Sequence, residues 1–353
     1  MSIFKSHGNS ICGISTAVPV ETVENEAYVE RFGLREVRKF SKYSGVFRIH
    51  RAAQNQTASD LGYAAANHLI NQLGIDRSDI GILLFVTLSA DYRRPPTSCV
   101  LQYRLGLGDD CSCWDIGHGC SGFLYGHQTM LSLMEGADCP YGLMILGETS
   151  SKLMSPNDRS SMLFGDAGSA VLYGKDPKNE SVCILKSNGR GYKDIIVPGG
   201  GFRDRFPSDM PEICDDGVLR TRNELRMNGL NIHNFSTTEI PKTIRDYLAY
   251  THTDISVYDR IFLHQANKTI LDILNAEMII DEEKAPNCLK EYGNTSCTSI
   301  SLMICDYYGN KNAISELVLA CGFGVGLSWG VTSFIIDADY VFPIIETDEV
   351  FTE

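Results

Sequence analysis

The chain has 353 residues, 43% of them hydrophobic and 21% charged, a balance that excludes disorder and fibrous repeats and suits two domains or one large duplicated domain. Thirty-one Lys and Arg stand against 44 Asp and Glu, a formal charge of -13 whose bulk field repels nucleic acid, so no nucleic-acid partner is expected. No apolar stretch approaches the roughly 20 residues of a membrane span, no signal-peptide pattern follows the first residues, and a cytoplasmic setting is expected.

The first local exception to the acidic balance comes early. Arg35, Arg38, Lys39, Lys42, Arg48 and Arg51 face only Glu36 across residues 35–51. This reads either as a solvated face or as a dock for a phosphate-bearing or acidic partner. Thr57-Ala-Ser-Asp60 then resembles a capping box, and Leu61, Ala64, Ala65, Leu69 and Leu73 recur at helical spacing up to Gly74. Residues 80–87 and 141–147 are short apolar runs of the kind buried in a parallel sheet. Between them, Ser112–Ile116 reads as a strand, Gly117–Gly122 as a turn and Phe123–Met134 as a helix. Ala170–Gly174 reads as a strand, and the polarity and proline of Lys175–Glu180 mark a connector, which places an internal boundary at 175/176.

The second half repeats the rhythm, with a helix around Asn228–Tyr250, a strand at Arg260–Leu263, a helix over Lys268–Ile279 and strands flanking residues 322–326. Alternating β and α units with short joints imply helices on both faces of a mainly parallel sheet, and the two similar halves point to internal duplication.

Among the 12 scattered cysteines there is no Cys-x-x-Cys pair, and the eight histidines make no zinc pattern with them, so no metal is expected. Cys120 is set apart by its place between a strand, a glycine turn and a helix start, where free N–H groups and the positive end of the helix dipole favour the thiolate. Gly119 and Gly122 would leave room for a substrate carbonyl. A buried cysteine in a tight turn is the alternative. His264 follows a strand at the sheet edge where ligands bind in open α/β folds, though a structural histidine has the same pattern. Asn294 lies in a turn ahead of a helical stretch, where asparagine also caps helices. Cysteine, histidine and asparagine together form a recurrent nucleophilic set. In a hydrolase the histidine would deprotonate the thiol; in a condensing enzyme histidine and asparagine would both donate to an enolate-like oxygen. Residue types alone do not choose. Residues 322–326 superficially look like a dinucleotide loop but precede a strand-like run, so no pyrophosphate site is expected, and Gly199-Gly-Gly201 reads as a flexible turn.

Five segments, in order, resemble the β-ketoacyl-acyl carrier protein synthase III family of the thiolase fold over nearly the whole chain. They are Ile116-Gly-His-Gly-Cys-Ser-Gly-Phe123, Leu163-Phe-Gly-Asp-Ala-Gly-Ser-Ala-Val171, His264-Gln-Ala-Asn267, Tyr292-Gly-Asn-Thr-Ser296 and Gly322-Phe-Gly-Val-Gly-Leu-Ser-Trp-Gly330. The resemblance implies an α/β, thiolase-like fold of two similar mixed-sheet halves in a five-layer αβαβα arrangement, residues 1–175 carrying the cysteine and 176–353 the histidine and asparagine, and a homodimer. It implies catalytic Cys120, His264 and Asn294, an oxyanion loop at Gly324 and Val325, and substrate contacts at Arg159, Asn267 and Phe323. Cys120 would take an acyl group from an acyl-CoA or acyl carrier protein thioester, without cofactor or metal. A malonyl group on the partner acyl carrier protein would then lose carbon dioxide and condense with it, in fatty acid or related acyl-chain biosynthesis. An acyltransferase of the same fold passing the acyl group to an alcohol or amine is the alternative; a non-catalytic partner subunit would tend to lose the cysteine.

The chain departs from the family pattern in places. Lys39-Phe-Ser-Lys-Tyr-Ser-Gly45 stands where the family commonly stacks a tryptophan and an arginine on the CoA adenine. Val325 replaces a glycine, Arg93-Arg-Pro-Pro96 stands where an aromatic residue usually meets the acyl pocket, and His118 is read as a turn residue rather than a second base.

Overall fold

In the computed structural model, which describes residues 2–352, nine strands join one hydrogen-bonded sheet system. In chain order they are β1 (Ser2–Pro19), β2 (Ile80–Val86), β3 (Ser112–Ile116), β4 (Tyr141–Glu148), β5 (Ala167–Ser187), β6 (Arg260–Leu263), β7 (Ser315–Gly324), β8 (Ser328–Asp337) and β9 (Ile345–Thr347). The main helices are α1 (Leu34–Ser44), α2 (Ala58–Leu73), α3 (Thr97–Leu105), α4 (Gly122–Gly136), α5 (Gly229–Thr251), α6 (Lys268–Met278) and α7 (Ser299–Tyr308).

Side-chain alternation along the strands sorts these elements into layers. Leu83 and Phe85 of β2 pack with α2 and α3, whereas Ile82, Leu84 and Val86 turn the other way, toward α4 and α7. On β7, Val318 and Ala320 meet that same central pair of helices, while Leu319, Cys321 and Phe323 face α5 and α6. The order is therefore helix, sheet, helix, sheet, helix, the expected αβαβα arrangement. The halves share a plan: β2 runs parallel to β4, which is antiparallel to β5, and β6 runs parallel to β7, which is antiparallel to β8. Among the described residues, edge strand β3 has no counterpart strand in the second half.

The capping box at α2 is present: the Thr57 N–H donates to Asp60 Oδ2 at 2.7 Å and the Asp60 N–H to Thr57 Oγ1 at 3.4 Å. The connector expected at residues 175–180 is not; those residues lie inside β5. Ala167–Gly174 pair with β4, and Cys183–Ser187 pair with β8. Strand β1 follows along its whole course, with a register irregularity between His7 and Asn9 opposite residues 175–180. Pro177, lacking an N–H, sits where the ladder is already broken. The 175/176 division thus marks the place where a two-stranded ribbon passes from one sheet into the other, and residues 2–7 pair in the second.

Candidate active site

Cys120 stands at the mouth of α4, after β3 has ended and the Gly122 N–H has closed a turn onto the Gly119 carbonyl at 2.6 Å. The space that Gly119 leaves is filled by the protein itself: a Cβ there would sit 2.8 Å from Val325 Cγ1, 3.0 Å from Leu88 Cδ1 and 3.2 Å from Ser296 Oγ. This corrects the expectation that the glycine clears a path for substrate. Gly324 is excluded from any other identity by Cys120, because at φ 158° its Cβ would lie 2.8 Å from the sulfur.

Burial pushes the Cys120 thiol up to about 11, against the hydrogen bonds offered by the Ser296 hydroxyl, 3.9 Å away, and the Val325 N–H. Burial therefore opposes the charged form that the helix start favours. The proton needs an acceptor when the sulfur reacts.

His264 leaves the end of β6 with its N–H on the Cys321 carbonyl, 2.8 Å away. Its ring meets Phe323 edge-on at 5.4 Å, and Nδ1 lies 2.7 Å from the Ser299 hydroxyl at the start of α7. Burial lowers the imidazole to about 3, so it is neutral at physiological pH. With Nδ1 engaged, Nε2 is the ring's remaining polar atom.

Asn294 is held by main chain on both sides. Its N–H donates to Leu163 O at 2.9 Å and its carbonyl accepts from Gly165 N at 3.1 Å, a bridge that lets the Phe-Gly-Asp segment carry the asparagine. Gly165 permits this approach, since a Cβ would lie 2.2 Å from Tyr292 O. Asp166 braces the segment by accepting from the N–H groups of Ala52 and Ser151 at 2.8 and 3.0 Å and from the Ser151 hydroxyl at 2.6 Å. The Asn294 Oδ1 accepts from Ser296 N at 2.9 Å, and the amide nitrogen donates weakly to Ala266 O at 3.4 Å. The carboxamide is oriented with its oxygen occupied and an N–H left to give.

Cys120, His264 and Asn294 all line one cavity of about 400 Å³. Comparison with known proteins adds to this geometry. Residues 114–190 match the model of 3-oxoacyl-[acyl-carrier-protein (ACP)] synthase III, and residues 248–336 match the C-terminal model of the same enzymes. The chain is 31% identical over 322 residues to the β-ketoacyl-[acyl-carrier-protein] synthase III of Clostridium perfringens, covering 90% of this chain and 96% of that protein. It belongs to the 3-oxoacyl-[acyl-carrier-protein] synthase III family. A Streptococcus agalactiae synthase III is also 31% identical, over 82% of this chain and 88% of its own. The crystal structure of a 3-oxoacyl-(acyl-carrier protein) synthase from Burkholderia xenovorans superposes with a TM-score of 0.91 at 33% identity, covering 98% of this chain and 99% of that one.

The other residues put forward for a synthase III divide. Phe323, Gly324, Val325 and Asn267 line the cavity, although Asn267 also caps α6 by accepting from Ile270 N at 2.9 Å. Arg159 does not line it; its half-exposed guanidinium is drawn to Glu36 of α1 at 3.0 Å. His118 stacks on Tyr125, ring centroids 4.0 Å apart, and stays in the turn. Three contributors escaped the sequence reading. Ser296 holds a left-handed φ of 54° beside the sulfur, Ser299 fixes the imidazole, and Glu148 lines the cavity while accepting from Leu88 N at 2.6 Å and Ser89 Oγ at 2.7 Å. Burial holds the Glu148 carboxyl up at about 7. Only the serines carried a signal, Ser296 as the last residue of the Tyr-Gly-Asn-Thr-Ser segment and Ser299 as its near neighbour.

Proposed function

We propose that this synthase III condenses an acyl group held on Cys120 with a decarboxylating malonyl thioester. In the first half-reaction the sulfur forms a bond to the acyl carbonyl carbon and the thioester C–S bond breaks; the thiol proton passes through His264 Nε2 to the departing thiol. The Val325 N–H and that of Cys120 stabilise the oxyanion. In the second, the malonyl C–C bond breaks, carbon dioxide leaves, and its electron pair forms an enolate that attacks the acyl carbon and breaks its bond to the sulfur, which leaves as a thiolate and takes a proton from solvent to return to the thiol. The Asn294 amide N–H and His264 Nε2–H donate to the enolate oxygen. Nε2 must accept a proton in one step and donate in the other. A hydroxyl at Nδ1 suits both, since Ser299 can donate to that nitrogen or accept from it.

The observation that favours condensation over transfer to an alcohol or amine is the Asn294 amide, whose oxygen is tied down so that it offers a donor and no base. The acyl donor is a thioester on a phosphopantetheine arm, of CoA or of acyl carrier protein, and no cofactor is called for. The chain also forms a homodimer in this reading, through the open edge of β3, which among the described residues pairs only with β2 and exposes Trp114. Intact-protein mass spectrometry tests the chemistry. Wild type should gain an acyl mass and then release carbon dioxide from malonyl carrier protein, and Cys120→Ala should gain none. Acylation of the variant would refute the role of sulfur; acylation of wild type without carbon dioxide release would favour transfer to another acceptor.

A further inference from the structure

The cationic stretch of residues 35–51 resolves into two groups. Arg48 is paired, with Glu24 at 3.5 Å and with Glu291, and Arg51 is tied to the Tyr28 hydroxyl. Arg35, Arg38, Lys39 and Lys42 recur at i, i+3, i+4 and i+7 along α1, all exposed, and among the described residues none of the four makes an ion pair or a hydrogen bond. Other cations on this side are neutralised, Arg159 by Glu36 at 3.0 Å and Lys268 by Asp272 at 2.6 Å. Like charges at i and i+4, here Arg35 with Lys39 and Arg38 with Lys42, destabilise a helix. The row therefore works against the element that carries it.

The opposite side of α1 belongs to the cavity. Phe40, Tyr43 and Ser44 line it, and the Tyr43 carbonyl accepts from the Thr269 hydroxyl at 2.9 Å, two residues beyond cavity-lining Asn267. One helix thus presents unpaired cations outward and cavity wall inward, in a chain of charge -13 that would otherwise repel an acidic protein.

Resting on the condensation reading above, we propose that the outer face of α1 is the seat for the acidic surface of the acyl carrier protein, placing its pantetheine arm at the cavity mouth. From Arg35 to Lys42 the row spans about 10 Å at the rise of a helix, which suits several carboxylates spread along a protein surface better than the compact phosphates of a nucleotide. The attraction acts on encounter and so on KM, and weakens with salt.

The test is the double charge reversal Lys39→Glu with Lys42→Glu, assayed with malonyl groups on carrier protein, on CoA and on bare pantetheine. The expected result is a KM for malonyl carrier protein raised tenfold or more with kcat within twofold, less salt dependence than wild type, and both small thioesters within twofold of wild type. A carrier KM within twofold of wild type overturns the docking face and leaves the condensation reading standing. A CoA thioester impaired as much as the carrier, with pantetheine unaffected, assigns the face to nucleotide phosphates and overturns it too. If wild type releases no carbon dioxide from malonyl carrier protein, the condensation reading fails and takes this proposal with it.

Discussion

At Cys120, His264 and Glu148 removal from water works against whichever form carries charge: thiol and carboxyl are raised to about 11 and 7, and the imidazole is lowered to about 3. A reaction that moves protons and leaves each group neutral afterwards suits such a pocket. Glu148 has a measurable consequence. Its value lies above the ordinary 4.5, so the native chain holds a proton that the unfolded chain releases, and the stability it contributes is lost as pH rises through about 7. The melting temperature of wild type relative to Glu148→Gln should therefore fall by a few degrees between pH 5 and pH 8; a difference that stays constant with pH would contradict the assignment. That Cys120, His264 and Asn294 belong together was legible at this scale because they sit in turns that interrupt apolar runs, and all three line the cavity. Glu148 was not, because it ends a strand that looks purely structural and only the fold brings the Leu88 and Ser89 donors to it. The partner of Arg159 was hidden for a related reason: Glu36 is distant in sequence.

Among the elements, α2 lies on β5 with almost no clearance. A Cβ on Gly168 would stand 2.2 Å from the Leu61 carbonyl carbon and 2.3 Å from Gly62 N, and one on Gly62 would stand 2.5 Å from Ile145 Cγ2. Gly168→Ala must push the helix off the sheet, an overpacking cost of about 3 kcal/mol. The urea midpoint should drop with the slope unchanged, and a midpoint equal to that of wild type would show that the helix has slack. Element type and order could be read from periodicity and caps: α2, α4, α5 and α6 fall within a few residues of their expected spans. Strand β5 could not, because Lys175–Glu180 has the polarity and proline of a loop, and its strand conformation is set by β1 from the far end of the sequence.

For the molecule as a whole, the open edge of β3 is the feature that most needs a partner. Trp114→Glu places a charge in the centre of the proposed interface, so the variant should sediment as a monomer where wild type sediments as a dimer. Unchanged sedimentation would move the interface elsewhere. The five-layer arrangement followed from family resemblance, and alternation on β2 and β7 supplies its physical reason, since each strand must bury both faces.

The ribbon of β1 and β5 gives the molecule its mechanical character. Sulfur comes from one half and imidazole and carboxamide from the other, yet these halves are stitched by two continuous lengths of backbone rather than leaned together across a seam. To part them, ladder bonds in both sheets would have to tear. The alignment of the three side chains is thus inherited from the spine of the molecule.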